Sequence, residues 1–340
     1  MNKGYNSGRY VGEMQNDMRH GRGVFYYRHG ACYCGEWQND KRSGTGCERN
    51  TAYCYVGHYA NGVPSGRGTR FNEDGTRFVG IWNGVDAVGV MYYPDGSSME
   101  GKYDLGVFKQ TATRKKPAGA EKKTFLEQDG KRCKYTGALQ NGQRHGYGVA
   151  EWEDGCKYSG EWQNDKRNGY GVCVYKDGDV YSGEWKDDQW TGFGDWNIPN
   201  GNRYTGQWKD GKGDGYMRCL RQGMPNYEGE MANDDYNGFG TIYSDETEFS
   251  YEGHLKDGCS DGFGTKYLGN YLRYDGYFQR GMMHGEGRLT CTDTSPFHSN
   301  LKEGDYFCGN WWENDAIGTL YHADGTKERG VMRRLLFSRT

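Results

Sequence analysis

Tyr158-Ser159-Gly160-Glu161-Trp162-Gln163-Asn164-Asp165-Lys166-Arg167-Asn168-Gly169-Tyr170-Gly171 is the stretch whose reading decides the fold. Tyr158, Gly160 and Trp162 are two residues apart, so in a strand they share one face, with Ser159 and Glu161 on the other. The run from Asn164 to Asn168 is polar and turn-prone. Gly169, Gly171, Cys173 and Tyr175 then form the like-facing set of a second strand, and Asp177-Gly178 is a hairpin-type turn signal. One such stretch reads as one β-hairpin. Glycine normally weakens a strand interior. Here the spacing predicts that rings from the neighbouring strand fill the room the glycines leave.

The first glycine of this pattern recurs at 12, 35, 57, 80, 101, 137, 160, 183, 206, 229, 253, 276 and 309. Most gaps are near 23 residues, which makes about thirteen repeats. Tyr33, Gly35, Trp37, Gly44 and Gly46 carry the signature early in the chain, and Tyr181, Gly183 and Trp185 follow the quoted stretch. One hairpin is marginal in water, so the repeats must stack. The expected fold is all-β, an elongated solenoid-like antiparallel meander. At about 4.8 Å per strand, thirteen hairpins would make a rod on the order of 120 Å.

Breaks in the period divide the chain into an N-terminal array over 1–106, a basic insertion over 107–131 and a C-terminal array over 132–330. That second array carries an extended loop over 292–304, which includes Ser295-Pro296. The insertion contains Lys115, Lys116, Lys122 and Lys123 and lacks the pattern. It reads as a mobile linker. A tail over 331–340 shows helix-like apolar clustering and is expected to cover the exposed edge of the last hairpin.

The composition agrees with a ring-based core. Gly makes up 57 of 340 residues and the mean hydropathy is −1.04, values that alone suggest disorder. The 29 Tyr, 13 Phe and 10 Trp argue otherwise, because rings bury much apolar surface per residue. Charge is nearly balanced, at 43 basic and 46 acidic residues, so nothing favours nucleic acid. Eleven Cys, an odd number with no C-x-x-C, read as reduced thiols. No apolar leader and no run of about 20 apolar residues is present, so the chain is expected to be soluble and cytoplasmic.

Read as a pattern of residues, Tyr158 to Gly171 resembles the MORN-repeat family, Y-x-G-x-W-x-x-G/D-x-x-x-G-x-G. Arg19-His20-Gly21-Arg22-Gly23 and Arg144-His145-Gly146-Tyr147-Gly148 match its second half. The chain is similar to the members made only of repeats, in plan like radial-spoke head proteins. That resemblance implies a scaffold of the cytoskeleton, foremost of a cilium or flagellum, with cytoskeletal or axonemal proteins as partners. It also implies an alternative, a tether binding phosphoinositide or another anionic phospholipid.

Catalytic signals are missing from the pattern. The G-x-G pairs lie in strands with no following helix to offer phosphate its N-terminus. Cys32 and Cys34 are expected as small residues on the outer face. Glu13, Glu36, Glu161, Glu184 and Glu230, each just after a first glycine, are expected on a solvated face. No enzyme activity, cofactor or metal is predicted. The candidate partner-binding residues are basic turns, Arg19 and His20, Lys41 and Arg42, Arg144 and His145, Lys166 and Arg167, stacked into ladders about 10 Å apart. Unpaired terminal edges make a homo-oligomer a further expectation.

Overall fold

Each hairpin turns on two residues. Asn39–Asp40, Asn164–Asp165 and Asp187–Asp188 all have φ between 49° and 70°. Short Asn and Asp side chains tolerate this left-handed region, and two-residue turns with both φ positive match the twist of the flanking strands. The second strand therefore starts at once, at Lys41 and at Lys166. The five polar residues expected to form a turn contribute only their first two.

The three glycines of a repeat have separate jobs. The second one needs the left-handed region, with φ of 58° at Gly44 and 73° at Gly169. The first and third leave room for a ring. A Cβ on Gly171 would stand closer than 3.0 Å to Tyr158 Oη, Cζ and Cε2. Gly160 and Gly171 are cross-strand partners, and Tyr158 covers both. The ring thus fills space on its own strand as well as on its neighbour, more than the sequence reading supposed.

Two kinds of hydrogen bond lock the tyrosine and tryptophan of the regular repeats. The Tyr158 hydroxyl donates to the Glu161 carbonyl at 3.0 Å, where the register shifts by a bulge between Gly160 and Trp162. Trp185 Nε1 donates to the Gly171 carbonyl of the preceding repeat at 3.2 Å, and Trp37, Trp162 and Trp208 do the same to Gly23, Gly148 and Gly194. Tyr158 meets Trp162 and Trp185 edge to face, with centroids 5.0 and 5.4 Å apart. Each tryptophan therefore ties its repeat to the one before.

The computed structural model describes residues 2–5, 8–28, 31–50, 52–72, 74–93, 97–113, 121–127, 129–243, 249–269, 271–293 and 300–339. Thirty antiparallel strands and no helix lie among them, so no helix is long and apolar enough to cross a membrane. Hairpins form at every recurrence of the first glycine, including the irregular ones at Gly80, Gly101, Gly253 and Gly309. The fold is an all-β antiparallel hairpin meander. The chain divides into two compact units, Met1–Gln222 and Gly223–Thr340.

In the first unit, eleven strands from Asn2–Tyr5 to Val107–Gln110 form one sheet, and nine more run from Glu121–Leu126 to Lys212–Leu220. The faces without the ring pairs meet. Tyr216 packs on Val24 and Cys34, and Phe193 on Cys47 and Val56. Tyr147 stacks on Tyr92 at 4.6 Å with the Arg77 guanidinium over both rings. Early strands of one sheet meet late strands of the other, so the repeats fold back on themselves in this unit. They do not continue as the single line on which the rod estimate relied. Cys32 and Cys34 are accordingly buried between the sheets and not on an outer surface.

Val107–Gln110 and Glu121–Leu126, both within the expected linker, are paired strands. Lys122 and Lys123 lie on the second of them, while Lys115 and Lys116 are outside the described residues.

The second unit has ten described strands, from Asn226–Ala232 to Leu336–Arg339. The tail over 331–340, with its helix-like apolar clustering, instead forms the end of the strand Lys327–Arg333 and the strand Leu336–Arg339. Arg334–Leu335 make a two-residue turn, and buried Met332 pairs with Phe337. Two apolar residues facing each other across a tight turn outweigh a short helical pattern. Asn300, from the loop after Cys291, holds both backbone groups of Phe337 at 2.8 Å and so occupies that edge. Ser295 and Pro296 of the same loop lie outside the described residues.

Candidate functional site

Arg19, Arg42, Arg144 and Arg167 each occupy the second position of a strand, on the ring-bearing face. None of them sits in a turn. Arg167 Nε bonds Asp188 Oδ1 of the next repeat at 2.8 Å while its guanidinium lies 4.3 Å from the Trp185 centroid. Arg19 uses Asp40 at 3.0 Å and Trp37 at 4.3 Å in the same way. Arg42 donates to the Gly62 carbonyl and pairs with Glu48 at 2.7 Å. Arg144, only 6% exposed, is held by Glu127 at 2.8 Å and Asp165 at 3.1 Å between Phe125 and Trp162. These arginines are clasps between repeats.

The same slot explains why the basic ladder lapses. Where the arginine position carries Trp190, its ring stacks on Tyr181 at 4.2 Å, and Tyr236 stacks on Tyr227 at 3.8 Å. A guanidinium or an aromatic ring covers the tyrosine in these repeats, whereas Pro64, Ala87, Gly213, Ser260, Met283 and Ala316 hold the same register position in others. Lys41 and Lys166 point to solvent. His20 and His145 are half-buried, each with an Nδ1 that has no hydrogen-bond partner.

Of the glutamates after the first glycine, Glu13 and Glu36 are exposed as expected, while Glu161, Glu184 and Glu230 are half-buried, and all five also make a structural bond. Glu36 Oε1 accepts the Thr45 N–H at 3.0 Å, and Glu161, Glu184 and Glu230 accept those of Tyr170, Phe193 and Phe239. Glu13 does likewise for Arg22. Each carboxylate lies over the left-handed glycine and takes the donor that the bulge leaves free. Burial pushes the Glu184 carboxyl up, against the pull of the Phe193 N–H, Arg67 and His58. The recurrence of Glu nine residues before that donor was the signal in the sequence.

A wide opening lies on the ring-bearing face of the first unit. A groove of about 840 Å³ runs from Phe125 to Asp188, over Trp152, Trp162 and Tyr175. Leu126 on its lining is 74% exposed. Glu127, Asp129, Asp154, Asp165 and Asp188 line it together with Lys131, Arg144, Lys166 and Arg167. The Lys131 ammonium bonds Asp154 at 2.9 Å, which holds that carboxyl down to about 2 and raises the lysine to about 12. Rings with charges of both signs suit a polypeptide segment: apolar side chains on the floor, polar groups at the walls. Phosphate would have to break arginine–carboxylate pairs already formed.

Against known families, the chain matches the model described as MORN repeat over 10–31, 33–50, 55–77, 135–157, 158–180, 181–203, 204–216, 227–246 and 274–295. No curated protein matches it. The nine segments cover more than half of the sequence. The hairpins built on Gly80, Gly101, Gly253 and Gly309 fall outside them but keep the same strand pairing. With the repeat seen both in the sequence match and in the locked ring-and-glycine hairpins, this chain belongs to the MORN-repeat family.

Proposed function

We propose that the protein is a non-catalytic scaffold that docks partner polypeptides along its ring-bearing sheet face, within a cytoskeletal assembly such as that of a cilium or flagellum. The groove between Phe125 and Asp188 carries this reading, because it sets exposed Leu126 beside tryptophans and paired charges. A repeat array suits the task, since its rigid spacing presents successive contacts at a fixed pitch. The cytoskeletal setting rests on the likeness to repeat-only family members.

Retention of the tagged full chain in detergent-extracted cytoskeletons tests the proposal. Wild type should remain, and Leu126→Asp should be released several-fold more readily while keeping its β-sheet circular dichroism. Equal retention of both would remove the groove from the account. Release of wild type, with co-sedimentation on phosphoinositide vesicles that charge reversal at exposed Lys41 and Lys166, Lys41→Glu with Lys166→Glu, abolishes, would favour the lipid tether.

A further inference from the structure

Cys47 and Cys54 stand on adjacent strands of the first unit with their Sγ atoms 3.4 Å apart. The hairpin between them is short, closed by the Asn50 N–H on the Tyr53 carbonyl and by Asn50 Oδ1 on the Ala52 and Tyr53 N–H groups. Such a tight corner keeps the sulfurs together. A disulfide needs an S–S distance near 2.05 Å, so closure asks for roughly 1.4 Å of approach, within reach of side-chain rotation.

The two thiols differ in access. Cys47 is buried, 4% exposed, against Val56 and Phe193. Cys54 is partly exposed and lines a cavity of about 150 Å³ between the sheets, together with Arg49, Arg203, Phe71 and Asp195. That volume admits a small oxidant such as a peroxide. Arg49 is the direct cross-strand partner of Cys54 and interacts with it electrostatically. Reactive cysteines occur in such partly open surroundings with basic neighbours, and a second thiol in reach lets the oxidised form resolve. The hydrogen bond with Cys54, together with burial, pushes the Cys47 thiol well up, which disfavours Cys47 as the sulfur that meets the oxidant first.

We propose that Cys54 and Cys47 form a peroxide-sensitive thiol pair, a modification site independent of the docking groove. The Cys54 sulfur attacks one oxygen of hydrogen peroxide, forming S–O as O–O breaks. Water leaves with the thiol proton, and Cys54 becomes a sulfenic acid. The Cys47 sulfur then attacks the Cys54 sulfur, forming S–S as S–O breaks, and a second water leaves. Two electrons pass from the sulfurs to the peroxide. The product ties the strand Lys41–Arg49 to the strand Tyr53–Ala60 on the face that receives Phe193.

The test is peroxide treatment of the folded full chain, alkylation of remaining thiols, digestion and mass spectrometry. One peptide pair joined through Cys47 and Cys54, two hydrogens lighter than its parts and separated by dithiothreitol, is expected. Exposed Cys259 reports that oxidant was present. Cys47→Ser should leave a sulfenic acid at Cys54 that dimedone traps, whereas Cys54→Ser should leave Cys47 reduced. Oxidation of Cys259 with Cys47 and Cys54 both unmodified would overturn the proposal. So would a linkage of Cys47 to Cys34, its direct cross-strand partner.

Discussion

Replacing Gly171 by Ala probes the ring-over-glycine packing at a single site. Its backbone is outside the left-handed region, so the cost is one of space. The added methyl would overlap the outer half of the Tyr158 ring, which is fully buried and has nowhere free to move. Overpacking of this kind costs about 1–3 kcal/mol. Displacing the ring also weakens the hydroxyl bond to Glu161, worth about 1 kcal/mol net. The edge contacts to Trp162 and Trp185 are worth about 0.5–1.5 kcal/mol each. A loss of about 3 kcal/mol follows, read as a lower denaturant midpoint by tryptophan fluorescence. Tyr158→Leu lacks the overlapping atoms, so Gly171→Ala should cost under about 1 kcal/mol in that background, a double-mutant coupling. Gly155, with φ of 93° and nothing near its Cβ position, should lose only about 1 kcal/mol on change to Ala. If Gly171→Ala costs no more than Gly155→Ala, or as much in the Tyr158→Leu background as in wild type, the packing argument fails.

Arg144→Leu should destabilise the first unit by about 2 kcal/mol, since it leaves Glu127 and Asp165 without their cation. Arg144→Lys should recover less than half of that, because an ammonium cannot bond both carboxylates and lie flat on Trp162; full recovery in urea denaturation would argue for charge alone. Glu184 has a raised pKa in the fold, so its contribution is most favourable below the ordinary carboxylate range and is lost as pH rises through the raised value. Glu184→Gln keeps the acceptor for the Phe193 N–H and removes the charge. The thermal stability of this variant relative to wild type should therefore grow from about pH 4 to about pH 7. Parallel curves for the two proteins would contradict this.

One face of the sheets was legible in the sequence and the other was not. Tyr158, Gly160 and Trp162 announce their shared face because ring and glycine alternate at a strict period of two. On the opposite face Cys34, Cys47 and Val56 of one array meet Phe193 and Tyr216 of the other. Each is an ordinary small or aromatic residue within its own repeat. Only tertiary contact between sequence-distant hairpins gives them meaning, and a repeat period records contacts between neighbours alone. The arginines are hidden in the sequence for a related reason. Basic residues after Asn-Asp look like turn decoration until the turn proves to be two residues long, which returns Arg42 and Arg167 to the strand and to the rings.

The fold-back of the first unit is tested most directly by nuclear Overhauser contacts between the Phe193 ring and the Val56 methyls in selectively labelled protein. The account predicts a clear cross-peak between these two residues, which are far apart in sequence and both buried in one cluster. A missing cross-peak, with Phe193 and Tyr216 amides exchanging as freely as exposed strand residues, would show the repeats running on in a single line.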